Sequence, residues 1–149
     1  MASNGKVNNV IRIPTSLKGN FFRIWIEFLT PLHSLTNREK DVMASFIKNR
    51  FELGKVIKDE QLLDKWLMSD DTKAKVKREC NVSEAFFQVI LGKLRKTNMI
   101  IDGRINPKFI PKSIDDDDAS FQLLLYFDLN GRNIGKPVKG TEDSKGEDT

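Results

Sequence analysis

Three features of the sequence predict a mainly α-helical fold with a small β-hairpin. Apolar residues recur at three- and four-residue spacing in four stretches, as on one face of an α-helix. The segment Glu79–Ser83 contains Asn81, which tolerates left-handed backbone geometry, and ends in Ser83, which can cap a new helix. Apolar runs flank Asp102-Gly103. This pair favours a type I′ turn, because such a turn needs positive φ at both of its central residues. This pattern predicts a winged helix-turn-helix with an N-terminal helix and a C-terminal strand.

The chain is predicted to begin with a flexible arm, residues 1–16, because this segment lacks periodicity. A first amphipathic helix should then run from Leu17 to Leu29, and Pro31 ends the helical pattern. Its apolar stripe, which we expect to lie in the core, consists of Phe21, Ile24, Trp25 and Phe28.

Further helices are predicted before the turn. Thr36 and Glu39 have the spacing of a capping box, and the helix that they start should run to about Leu53. Another amphipathic helix spans Asp59 to Met68, and Ser69-Asp70-Asp71 can cap the basic helix that follows. Lys77 lies in that basic helix where many helix-turn-helix proteins have Ala, so either its side chain must snorkel or the helix must be shifted.

The helix predicted to begin at Glu84 has one buried face and one exposed face. The residues at helical spacing that should pack inward are Phe87, Ile90, Leu91 and Leu94. The residues of the outward face are Glu84, Ala85, Gln88, Gly92, Arg95 and Lys96. Glycine costs a helix about 1 kcal/mol relative to alanine. Gly92 therefore indicates either the close approach of a partner or a tight crossing with another helix.

The part of the chain after the hairpin is predicted to contain a loop, a strand and a tail. Asp115–Asp118 should form an exposed loop because consecutive carboxylates repel one another. Phe121–Phe127 is short, apolar and rich in aromatic residues, which predicts a buried strand that pairs near the hairpin sheet. Residues 130–149 lack a large apolar cluster and should be disordered. The winged-helix domain is therefore predicted at residues 17–129.

Length and composition predict one domain and a basic interaction surface. A chain of 149 residues can bury a core, and its single Cys can form no internal disulfide. The polar N-terminus does not resemble a signal peptide and no apolar run approaches a membrane span, so we expect a cytoplasmic protein with no membrane partner. Residues 72–112 hold ten basic side chains against three acidic ones, a local net charge of +7. This excess favours contact with phosphate groups.

The residue inventory argues against an enzyme and predicts no catalytic residue, metal site or cofactor. Gly131–Pro137 has three residues rather than four between its glycines, and Pro where a phosphate-binding loop needs Ser or Thr. A nickase would need a nucleophilic tyrosine and histidines that hold a metal. The chain has one Tyr, in the predicted strand, and one His, in a predicted loop. Asp115–Asp118 lacks the spaced oxygens and the glycine of a calcium loop.

The turn, its two flanking helices and the hairpin form a candidate DNA-binding site. Gln88 lies at the centre of the outward face and can pair with adenine, while Val89 can touch a thymine methyl group. Basic residues before the turn would contact phosphates, and Arg104 would enter a minor groove or meet a phosphate. The candidate residues are Lys73, Lys75, Arg78, Ser83, Glu84, Ala85, Gln88, Val89, Lys93, Lys96 and Arg104. Without the turn and the hairpin, the same residues would be typical of a solvated helix surface.

Several motifs in and around the turn and the hairpin suggest a family. They are the turn Cys80–Ser83, the helix end Leu94–Ile100, the hairpin exit Ile105–Ile110, the lysine and acidic run Lys112–Asp118, and Leu123–Phe127. With these motifs, the chain resembles the RepL-type plasmid replication proteins, which also occur in phages, over roughly Phe21 to Leu129. The resemblance implies binding of double-stranded DNA in the initiation of plasmid or phage replication. It also implies a bacterial host cytoplasm as the location and the replication machinery as a further partner.

The apolar flank of the exposed helix leaves a second function open. Phe86 and Val89 could dock a protein, which would make the winged helix a protein-interaction or phage virion-assembly module. Virion proteins would then be partners, and the location would be virion-associated. The oligomeric state is left open, a homodimer included.

Overall fold

The computed structural model describes residues 9–130, which divide into two compact units. The first unit ends at Phe109 and the second begins at Ile110. Residues 9–16, part of the predicted arm, are exposed and contain neither helix nor strand, whereas residues 1–8 lie outside the described residues. The predicted disordered tail lies outside them too, from residue 131 onward. The predicted domain of residues 17–129 spans parts of both units.

Between residues 9 and 130 the structure contains six α-helices, one short 3₁₀ helix and a two-stranded antiparallel sheet. The elements are α1 (Phe21–Phe28), α2 (Thr30–His33), α3 (Asn37–Gly54), α4 (Glu60–Leu67), α5 (Asp70–Cys80), α6 (Glu84–Lys96), β1 (Ile100–Ile101), β2 (Arg104–Ile105) and the 3₁₀ helix Pro107–Phe109. The prediction of a mainly helical fold with a small hairpin is therefore confirmed.

The first helix begins later than predicted. Instead of a helix from Leu17, residues 17–20 form a turn in which the backbone N–H groups of Gly19 and Phe21 both donate to Ser16 O at 3.1 Å. The chain then leaves α1 near Leu29 as expected, but enters the short helix α2, which the sequence did not reveal. Pro31 is compatible with α2 because the first turn of a helix has backbone N–H groups that need no intrahelical acceptor.

Side-chain caps set the starts of the next helices. Thr36 and Glu39 form the predicted capping box: Glu39 N donates to Thr36 Oγ1 at 3.3 Å, and Thr36 N donates to Glu39 Oε1 at 2.9 Å. Asp59 caps α4, and Ser69 caps α5 as predicted. Each cap satisfies a backbone donor that has no partner within its helix.

The core of the first unit is built around α3, which packs against α1, α4, α5 and α6. Val42, Met43 and Phe46 of α3 are fully buried. The ring of Phe46 stacks on Phe87 of α6 with 6.1 Å between ring centroids. Trp25 in α1 donates from Nε1 to Phe109 O at 2.8 Å, so the end of the unit is tied back to its first helix.

The predicted hairpin forms with the expected turn. Ile100 pairs with Ile105 and Ile101 with Arg104, while Asp102 and Gly103 have φ of 54° and 75°. Asn106 extends the pairing beyond the strands, since its backbone N–H donates to Met99 O and its side chain to Asn98 O, both at 2.9 Å. This single asparagine therefore ties the hairpin exit to the residues that connect α6 to β1.

The prediction of a buried strand at Phe121–Phe127 is wrong. Residues 110–130 contain neither helix nor strand, although Asp115–Asp118 is exposed as predicted. Leu124 is 83% exposed and Phe127 is 75% exposed. A strand needs an edge with unpaired backbone donors and acceptors. Among the described residues the only other strands are the two-residue strands of the hairpin, which are too short to template a seven-residue segment.

Candidate nucleic-acid interface

The turn between α5 and α6 has the geometry that its residues predict. Asn81 ends α5 in the left-handed conformation, with φ 54° and ψ 54°, and its backbone N–H donates to Arg78 O at 3.2 Å. Ser83 Oγ then accepts from Phe86 N at 3.1 Å and caps α6. Three residues, 81–83, therefore separate the two helices.

Side chains of α3 hold this turn in place through contacts that the sequence pattern does not indicate. Arg38 Nη2 donates to Cys80 O at 2.6 Å and to Asn81 O at 3.3 Å. Glu79 accepts from Ser45 Oγ at 2.7 Å and from Asn49 Nδ2 at 3.1 Å. Carbonyl groups at the end of a helix have no intrahelical donor. Their requirement for a donor from another part of the chain is the one signal that could have indicated an arginine. Neither this requirement nor the sequence spacing indicates which arginine supplies the bonds.

Cys80 is a packing residue in this cluster. Its thiol donates to Asp41 O with 3.4 Å between the two atoms, and burial raises the pKa of the thiol. The thiol therefore stays protonated near neutral pH.

The exposed face of α6 is uncharged from Ala85 to Gly92 and carries charged side chains at both ends of the helix. Phe87, Ile90, Leu91 and Leu94 are buried, which confirms the predicted inward face. The uncharged residues exposed on the opposite side are Ala85, Phe86, Gln88, Val89 and Gly92. Gln88 Nε2 donates to Glu84 Oε2 at 2.9 Å, so the first turn of the helix positions its amide.

Gly92 lies in open space on this face. A Cβ atom added there would meet no heavy atom within 4 Å, leaving aside the backbone of the helix itself. Within the described chain, a tight helix crossing therefore does not account for this glycine.

The basic side chains of α5 differ in their exposure and in their contacts. Lys75 and Arg78 are exposed, and Lys73 is half-buried. The Lys77 side chain snorkels, which is one of the two arrangements that the sequence predicts. Its Nζ lies 5.7 Å from the centroid of the Phe87 ring and forms an ion pair with Glu84. The hydrogen bond from Lys77, followed by that from Gln88, lowers the pKa of Glu84. Glu84 therefore orients its neighbours and neutralises Lys77.

Two candidate residues form ion pairs with other elements. Lys93 Nζ lies 3.8 Å from Glu39 Oε1, at the start of α3, and Arg104 Nη1 lies 3.6 Å from Asp64 Oδ2 of α4. Arg50 also contacts Asp64, at 3.3 Å. Arg104 must therefore leave or share this carboxylate before it can reach a phosphate. Lys96, at the C-terminal end of α6, is exposed.

From residue 9 to residue 130, no three His, Cys, Asp or Glu side chains come together as ligands for a metal ion. None of the helices in that range combines the length and the apolarity needed to cross a membrane.

Comparisons with known proteins give no family assignment. No family model matches the chain, and no curated protein or solved structure matches it either.

Proposed function

We propose that the chain is a non-enzymatic winged helix-turn-helix protein that binds double-stranded DNA in a sequence-specific manner. The observation that carries the proposal is the exposed face of α6, uncharged from Ala85 to Gly92. This helix follows a fixed turn from a helix with exposed Lys75 and Arg78. In DNA-binding proteins of this kind, the second helix enters the major groove while the first helix crosses the phosphate backbone.

The proposal gives different tasks to the residues of the two helices. Gln88 and Val89 of α6 contact base edges, and Ala85 and Gly92 are small enough to admit the edge of the groove. The positively charged residues contact phosphates and supply affinity without sequence preference. These residues are Lys73, Lys75, Arg78 and Lys96, with Lys93 and Arg104 at the margins.

The role in the cell rests on the RepL-type resemblance. On that basis we propose that the bound DNA is an origin on a plasmid or phage, and that binding serves replication initiation. The motifs that carry this part are Cys80–Ser83 and the hairpin exit Ile105–Ile110.

A protein-docking function is the second candidate, and a specific observation favours it. Phe86 is 42% exposed, beside exposed Val89 on the same helix. Exposed aromatic and aliphatic residues on one helix face are a common way to dock a partner protein, including a component of a phage virion. Both proposals use the same face of α6.

The salt dependence of binding to duplex DNA distinguishes the two functions. DNA binding releases counterions from the phosphates, and added salt makes this release less favourable. If about four phosphates are contacted, the association constant should fall by roughly 100-fold between 50 and 200 mM salt. Docking through an apolar flank should change far less over the same range. Fluorescence anisotropy with a labelled random duplex measures this slope. A slope near zero, or no binding at 50 mM salt, would contradict DNA binding.

Gln88 is expected to carry sequence discrimination. After selection of preferred duplexes from a random pool, Gln88→Ala should reduce the preference for the selected site over a random duplex by roughly 5- to 150-fold, because a bidentate contact to adenine is worth about 1–3 kcal/mol. Binding to the random duplex should change little. Gln61→Ala is the matched control, since Gln61 is an exposed glutamine on α4. Equal losses on both duplexes would instead indicate recognition through DNA shape.

A further inference from the structure

The second unit exposes an apolar segment that has the composition of a strand. Its sequence, Phe121–Phe127, contains no Gly, Pro or charged residue. The side chains from Leu123 to Phe127 are all exposed, and Leu124 and Phe127 are among the most exposed. Exposed apolar segments with high strand propensity pair readily with other chains.

We propose that residues 121–127 of two copies of the chain pair as antiparallel strands centred on Leu124, which makes the protein a homodimer. This inference is independent of the proposed DNA binding. The partner strand comes from a second copy of the chain, because the sequence of the segment is nearly the same when it is read in reverse. Its order is Phe-Gln-Leu-Leu-Leu-Tyr-Phe.

The pairing centred on Leu124 places residues of the same type opposite one another at most positions. Phe121 of each strand lies opposite Phe127 of the other, Leu123 lies opposite Leu125, and the two Leu124 residues meet at the two-fold axis. Residues directly opposite in an antiparallel pair share a face, so one face carries only Phe and Leu. Both copies use the same surface, as a closed two-fold dimer requires.

Charges on either side of the segment select the antiparallel direction. Parallel strands in register would put Asp115–Asp118 opposite the same four carboxylates, and Asp128 opposite Asp128. Antiparallel strands centred on Leu124 instead put Asp118 opposite Asn130 and Asp128 opposite Ser120. Like charges directly opposite one another destabilise a strand pair. The antiparallel dimer therefore avoids a repulsion that the parallel dimer would contain.

The strength of the dimer follows from its size. Two isolated strands are marginally stable in water. We therefore expect a reversible rather than a permanent dimer, so the average mass should rise with protein concentration.

Sedimentation velocity of the full chain across a range of micromolar concentrations tests the proposal. Wild type should shift from monomer to dimer as concentration rises. Leu124→Asp puts two carboxylates at the two-fold axis and should remain a monomer. Val56→Asp is the matched control, because Val56 is 81% exposed in the first unit, and it should dimerise like wild type. A wild type that stays monomeric, a Leu124→Asp variant that still dimerises, or association beyond a dimer would each overturn the proposal.

Cross-linking tests the register. Leu124→Cys should form a disulfide-linked dimer under mild oxidation, because the two cysteines would be directly opposite. Gln122→Cys should cross-link much more slowly, because each residue 122 lies opposite Tyr126 and the two copies of residue 122 are four positions apart. Wild type, in which Cys80 is buried, gives the background. Equal cross-linking rates for the two variants would overturn pairing centred on Leu124.

Discussion

Replacing Phe87 with alanine should lower the free energy of unfolding by about 3–5 kcal/mol. The Phe87 side chain is 0% exposed, stacks on Phe46 and lies under the ammonium group of Lys77. Its removal leaves a cavity between α3 and α6 that rigid neighbours fill only in part. Because small domains are stable by about 5–15 kcal/mol in total, this loss would be a large fraction of the stability of the fold. Urea denaturation followed by circular dichroism measures the change.

The neighbouring phenylalanine provides the control for this prediction. Phe86→Ala removes the same group from a side chain that is 42% exposed, so the change in stability should stay within about 1 kcal/mol. If Phe86→Ala were the more destabilising variant, the assignment of the two faces of α6 would be wrong. Phe86→Ala also separates the two proposed functions, because it should weaken protein docking more than DNA binding.

Replacing Lys75 and Arg78 together with alanine should weaken DNA binding by roughly 30-fold at 0.15 M salt. The estimate assumes that each residue neutralises one phosphate, so the slope of log K against log salt should become shallower by about 1.8. The loss should be the same on selected and random duplexes, because phosphate contacts carry no sequence information. Both side chains are exposed, so the stability of the fold should change little.

A pair of lysines elsewhere on the surface tests whether the position of the charges or the net charge of the protein causes the loss of DNA binding. Lys58→Ala with Lys65→Ala removes the same charge from exposed residues in and just before α4. This variant should keep the wild-type salt slope. A loss equal to that of the Lys75 and Arg78 variant would show that the whole protein, rather than α5, attracts the DNA.

Features with local causes could be predicted from the sequence. The capping box of Thr36, the Ser83 cap, the left-handed Asn81 and the Asp102-Gly103 turn all depend on residues within a few positions of one another. Local rules also gave the buried face of α6. These features are enough to predict a mainly helical fold with a small hairpin.

Features with distant causes could not be predicted. The ion pairs of Lys93 with Glu39 and of Arg104 with Asp64 join residues that are far apart in the sequence. The strand predicted at Phe121–Phe127 failed for the same reason: its composition favours a strand, but a strand also needs a partner edge elsewhere. The surroundings of Gly92 required three-dimensional packing, which the spacing of residues on one helix does not contain.

In the proposed DNA complex, the bonds from Arg38 to the carbonyl groups of Cys80 and Asn81 would affect the thermodynamics of binding. They fix the last turn of α5 and the start of the connection to α6 before any ligand arrives. Little conformational entropy of the protein should then be lost on binding. If α6 enters the major groove as proposed, a rigid α6 could not adapt to an imperfect site, so bending or widening of the groove would have to come from the DNA. The sequence preference of the protein should therefore extend to base pairs that no side chain touches.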